Sequence, residues 1–112
     1  MTTFNAMIDK TVRAQLVAAR ALIAKPNRWT RFKYAKRADG KEVQPGDPRA
    51  VCWCSMGALY RVHTSHEVTE LARNTLRAAV GRGVASFNDG STHDEVLKMF
   101  DDAIASIPEG TT

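Results

Sequence analysis

A mainly α-helical fold, with about four helices around a central apolar helix and one small β-hairpin near residues 31–44, is predicted by three features of the sequence. Apolar residues recur at spacings of three and four in three separate segments, which lines one face of a helix each time. Two of those segments open with a threonine three residues ahead of a glutamate, the pattern of a capping box. An Asp-Gly pair sits between two short alternating runs, where a two-residue hairpin turn needs positive φ.

The first helix is expected from about residue 5 to 24, because Ile8, Val12, Leu16, Ala19 and Ile23 share a face and Pro26 ends the pattern. The helical period is lost from Trp29 to Gln44. Alternation around Asp39-Gly40 predicts the hairpin, with Phe32 and Tyr34 on one face and Arg31, Lys33 and Ala35 on the other. Pro45-Gly46-Asp47-Pro48 reads as a loop in which Asp47 caps the next helix and Pro48 occupies its first position. The run AVCWCSMGALY has no polar face, so it belongs at the centre of the domain. An alternative keeps Val51 to Trp53 extended and starts the helix near Cys54; periodicity does not separate the two. Thr64-Ser65-His66-Glu67 then opens a helix striped with Val68, Leu71, Ala72, Thr75, Leu76, Ala79 and Val80, ending at Gly81 and Gly83. The following GRGVASFNDGS reads as a tight connector that buries Val84 or Phe87. Thr92-His93-Asp94-Glu95 opens the last helix, with Val96, Met99, Phe100, Ala103, Ile104 and Ile107 facing inward until Pro108.

The 112 residues fit one domain with one core, and 44% apolar with 25% charged residues is the composition of a folded protein rather than a disordered one. The start, MTTFNAMIDKTVRAQ, lacks the basic and then apolar pattern of a secretory leader. The longest charge-free run, Ala50 to Tyr60, has 11 residues, well short of a membrane span. Cys52 and Cys54 are too close for an easy mutual bridge, so reduced thiols in a cytoplasm are expected, with no membrane partner.

Trp29, the segment Trp53-Cys54-Ser55-Met56-Gly57-Ala58-Leu59, Phe87-Asn88-Asp89, and Thr92-His93 followed by Val96-Leu97 and Asp101 or Asp102 before Ala103-Ile104 occur in an order that can be named as a whole. In that arrangement the chain resembles a family of small bacterial proteins, a domain of unknown function, over roughly residues 15 to 107. The resemblance implies no activity and carries over no catalytic role. This chain looks more basic than that family between Trp29 and Lys41, so a charge-based function would belong to this member.

The charge is uneven. Residues 1–61 hold 12 Lys/Arg against 4 Asp/Glu, and residues 62–112 hold 4 against 8, so the halves carry +8 and −4. Arg20, Lys25, Arg28, Arg31, Lys33, Lys36, Arg37 and Lys41 fall in one stretch with a single acid. Interleaved with Trp29, Phe32 and Tyr34, they suit phosphate neutralisation and base stacking. The leading expectation is therefore a non-enzymatic binding or regulatory protein whose basic surface engages nucleic acid or an acidic protein. The competing expectation is a solvated hairpin whose aromatics face the core.

An enzyme reading rests on Cys54 as nucleophile at a helix start, where the dipole would lower its pKa, with His93 as base and Asn88 or Asp89 orienting the imidazole. Buried structural thiols are the plainer account. Cys52, Cys54, His63, His66 and His93 are the candidate metal ligands, but a Cys-x-Cys within a helix points its sulfurs apart, so no metal is expected. No motif requires a cofactor: Asn88 to Thr92 has neither the acidic spacing of an EF-hand nor a phosphate-loop glycine pattern.

Overall fold

The computed structural model describes residues 3–108, with side chains from residue 7 onward. Helix α1 spans Thr3–Leu22, and Pro26 opens a single 3-10 turn, Pro26–Arg28. Two short strands follow, β1 (Ala35–Arg37) and β2 (Ala50–Trp53). The rest is helical: α2 (Ser55–Arg61), α3 (His66–Val80), α4 (Val84–Gly90) and α5 (His93–Ser106). No described helix is long and apolar enough to cross a membrane.

The small antiparallel hairpin is present, but its second strand lies later than expected. Ala35 pairs with Trp53, Lys36 with Cys52 and Arg37 with Ala50, with a register irregularity after Lys36. A turn forms at Asp39-Gly40, Gly40 taking φ 85°, but Asp39 does not take the positive φ expected of it and Arg37 N donates to the Lys41 carbonyl, so the loop has three residues, Ala38 to Gly40, instead of two; beyond it an isolated Lys36–Glu42 bridge joins the two arms. The reason is burial. Ala35, Ala50 and Trp53 reach the core, whereas Lys41 and Glu42 have no apolar face to contribute.

Extending Val51 to Trp53 moves the helix start to Ser55, with Cys54 as its cap. Asp47 therefore caps no helix. Its carboxylate accepts from the Arg49 backbone N–H at 2.8 Å and from the Arg49 guanidinium at 2.9 Å. Those two bonds, the guanidinium first, hold Asp47 down to about 2. The expected central helix is found in α2: Ser55, Met56, Gly57, Ala58 and Leu59 are all buried, and it touches α1, α3 and α4.

The described residues form five α-helices because the glycine-rich connector contains one. Val84 and Asn88 of α4 are buried, so long-range packing overrides the local turn preference of Asn88-Asp89-Gly90. Thr92 and Glu95 form the reciprocal capping box expected for α5. At α3 the cap is Ser65, whose hydroxyl accepts from Val68 N, while Thr64 turns toward Gln15. The faces read from periodicity meet in the core: Leu16 and Ala19 of α1 with Ile23 just past its end, Ala72 and Leu76 of α3, and Val96, Met99, Phe100 and Ala103 of α5. Leu71, counted in the α3 stripe, is 42% exposed instead. Buried Gln15 bridges the helices, donating to the Leu59 carbonyl at 3.1 Å and to Thr69 Oγ1 at 3.0 Å.

Candidate functional site

Asn88 organises the surface on which the basic segment lies. Its side chain is fully buried, and its Oδ1 accepts three hydrogen bonds: from Trp29 Nε1 at 2.8 Å, Ser55 N at 2.9 Å and Ser55 Oγ at 2.7 Å. Three donors converging on one atom fix the orientation of the carboxamide. Its Nδ2 donates to the Thr30 carbonyl at 3.1 Å and to Asp89 Oδ1 at 3.2 Å. One side chain on α4 thus ties together the segment after α1 and the first turn of α2.

Residues 29–34 are consequently neither helix nor strand. Thr30 N donates to the Trp53 carbonyl, Phe32 N to Asp89 Oδ1 at 2.8 Å, and the Tyr34 carbonyl accepts from Cys54 N at 3.3 Å. Tyr34 also runs against Gly57 so closely that a Cβ there would lie 1.8 Å from its carbonyl oxygen. Between these anchors Phe32 takes φ 72°, the left-handed conformation that non-glycine residues avoid. The side chains go outward: Phe32 is 73% exposed and Tyr34 48%, with the Tyr34 ring edge-on to Tyr60. The expected shared strand face for these aromatics is therefore replaced by a strained backbone that presents them to solvent. Trp29 is half-buried against the core.

The eight cations of this stretch have different surroundings. Arg20 pairs with Asp101 of α5, which links the basic first half to the acidic second half. Arg31 lies over the Trp29 ring, 4.8 Å from its centroid, and donates to the Ser91 carbonyl. Lys33 is 3.7 Å from Glu42 and Arg37 is 2.7 Å from Asp39. Lys25, Arg28, Lys36 and Lys41 stand in no ion pair among the described residues.

The trio of the enzyme reading is separately engaged. Cys54 Sγ accepts from Gly57 N, and burial pushes the thiol up rather than down, with a smaller upward push from the Asp89 charge. His93 Nε2 lies 2.7 Å from the Ile23 carbonyl, which can only accept, so that nitrogen carries the proton; its ring packs on Trp29. Asn88 gives its amide to Trp29, Ser55, Thr30 and Asp89 instead of to the imidazole. With the thiol buried, Cys54 is expected to react with a disulfide reagent at mildly alkaline pH far more slowly than half-buried Cys52. A thiol-counting time course on the Cys52→Ala variant checks this, and rapid reaction of its remaining thiol would contradict it. Among the described residues no three His, Cys, Asp or Glu side chains group as metal ligands.

The model of a family of unknown function, DUF6197, matches residues 7–106. The chain belongs to DUF6197. No curated protein and no solved structure matches it. Within this DUF6197 chain the residues that carried the resemblance converge in space: Trp29, Ser55 and Asn88 share one hydrogen-bond hub, Gly57 admits the Tyr34 backbone, and the His93 ring lies tilted against Trp29. Sequence reasoning missed Asn88 as a hub, Gly57 as a contact and Phe32 as a strained residue. The available signal was the joint occurrence of Trp29, Ser55 and Asn88 within one set of motifs.

Proposed function

We propose that this DUF6197 chain is a non-enzymatic, cytoplasmic binding protein whose segment from Lys25 to Lys41 engages single-stranded nucleic acid. The observation that carries the reading is Phe32, held outward on a left-handed backbone by the Asp89 carboxylate. Keeping a phenylalanine in water forgoes about 1.5–3 kcal/mol of burial. The backbone conformation costs a further ~1–2 kcal/mol. The anchors on either side account for the backbone conformation, and a ring presented for stacking accounts for its outward exposure. Lys25, Arg28, Lys36 and Lys41 supply charge that no described carboxylate neutralises. An acidic protein would satisfy the cations and could also cover the rings; single strands are preferred because rings interleaved with cations suit stacked bases between phosphates.

Fluorescence anisotropy with labelled single- and double-stranded oligonucleotides across a salt series tests this. Low-micromolar binding to single strands is expected at low salt, with a logarithmic salt slope near about −3 if the four cations each meet a phosphate. Phe32→Ala is expected to weaken single-strand binding about tenfold while leaving the salt slope unchanged. Absence of binding to any strand at low salt overturns the reading and leaves an acidic protein as the partner to seek.

A further inference from the structure

Two hollows flank Tyr34. The first, of about 240 Å³, reaches from Tyr34 to Phe32, with Ala85 and Cys54 as apolar walls and Lys33, Glu42 and Asp89 as polar ones. The second, of about 450 Å³, runs from Tyr34 and Glu42 past Val43 to Asp47 and Arg49. Tyr34 and Glu42 line both, so these two residues form the boundary between them. We infer that the Tyr34 ring is a wedge that seats between two adjacent bases of a bound single strand, one base in each hollow; the inference rests on the nucleic-acid reading above.

The ring is held where a wedge is needed. The Tyr34 carbonyl accepts from Cys54 N at 3.3 Å, its backbone is pressed against Gly57, and its ring meets Tyr60 of α2 with centroids 5.6 Å apart. Tyr34 and Tyr60 both remain partly exposed. A ring braced by a second element loses little freedom when a base stacks on it. Charge then separates bases from phosphates. In the first hollow Lys33 stands 3.7 Å from Glu42, and in the second Arg49 bonds Asp47 at 2.9 Å. The cations inside the hollows are thus offset by carboxylates and draw in no phosphate, whereas a neutral base edge, with donors and acceptors, tolerates both signs. Lys36 lies across a bridge from Glu42 and Lys41 precedes it in the chain, and neither stands in an ion pair among the described residues. These two cations flank the Glu42 boundary that the phosphate linking the two bases must cross. No group in the arrangement prefers one base, so the wedge reads adjacent bases rather than sequence.

The test is anisotropy at low salt with labelled DNA strands of equal length, abasic at every position except for one thymine or for two adjacent thymines. The phosphate charge is the same in both, so their ratio reports the second base alone. The unaltered protein is expected to bind the two-thymine strand about tenfold tighter than the one-thymine strand. Tyr34→Leu keeps an apolar side chain but removes the ring, and is expected to bring that ratio below about twofold. Tyr34→Phe restores the flat ring and is expected to restore the ratio. The fold is not at stake in either variant, because the contacts to Cys54 N and Gly57 are made by the Tyr34 main chain. Equal affinity of the unaltered protein for the two strands overturns the wedge, and so does a tenfold ratio that persists in Tyr34→Leu; in both cases fully based single strands still bind and the binding function stands. Failure to bind fully based strands as well removes the underlying function and the wedge with it.

Discussion

Gly57→Ala is expected to lower the free energy of unfolding by about 3 kcal/mol or more, a large share of the roughly 5–15 kcal/mol that holds a small domain folded. Helix propensity alone predicts the opposite sign, since alanine is favoured over glycine in a helix interior by about 1 kcal/mol. The deciding contact is tertiary. A Cβ at position 57 would lie 1.8 Å from the Tyr34 carbonyl oxygen and 2.7 Å from its carbonyl carbon. These are backbone atoms that no rotamer change can withdraw. The Tyr34 carbonyl also accepts from Cys54 N, so moving it breaks the cap region of α2 and shifts the Phe32 segment with it. Urea unfolding followed by circular dichroism reads the effect. A rise in stability would mean that the segment 29–34 is not seated on α2.

Asn88→Ala is the second large effect. Removal of the carboxamide strands the Trp29 indole N–H, the Ser55 N–H and hydroxyl, and the Thr30 carbonyl together. A buried donor or acceptor left unsatisfied costs about 1–3 kcal/mol, and partial relaxation makes a total of about 4 kcal/mol the reasonable expectation. For a chain of this size that corresponds to a fall in Tm of roughly 15–20 °C. Ser55→Ala strands no partner of comparable burial, because Asn88 Oδ1 keeps two donors, and should cost about 1 kcal/mol. Thermal melts of the two variants separate a hub from an ordinary buried asparagine. Equal, small losses would contradict the hub.

What could be read from sequence and what could not divides along local and long-range physics. The faces of α1, α3 and α5 were legible because each repeats an apolar stripe, and the Thr92 cap because its partner Glu95 is three residues away. Helix α4 was hidden, since Asn88-Asp89-Gly90 carries strong turn chemistry and its helical state depends on Val84 and Asn88 being buried by distant elements. Asp47 before Pro48 had the signature of a cap, yet the same carboxylate serves a turn just as well, and only the burial of Trp53 in an extended strand decides between them. Phe32 was misread because alternation is blind to φ: the Asp89 carboxylate that traps its backbone is 57 residues away in sequence.

For the candidate site, the cations were legible as a run but their pairing was not. Arg20 finds Asp101 across 81 residues, whereas Lys25 and Arg28 form no ion pair among the described residues. Cys54 illustrates the limit on chemistry. A thiol at a helix start suggested an activated nucleophile, but burial outweighs the hydrogen bond from Gly57, and the thiol is pushed up.

The proposed binding function rests on the outward, strained Phe32, and Phe32→Gly probes it most directly. Glycine adopts φ 72° freely, and the lost ring is 73% exposed. Stability and single-strand affinity, measured on the same preparation by urea unfolding and anisotropy, should therefore diverge. Stability is expected to hold or rise by up to about 1 kcal/mol. Affinity is expected to fall about tenfold. A variant that loses stability while binding as tightly as the unaltered protein would mean that Phe32 serves the fold and that its exposure has no part in recognition.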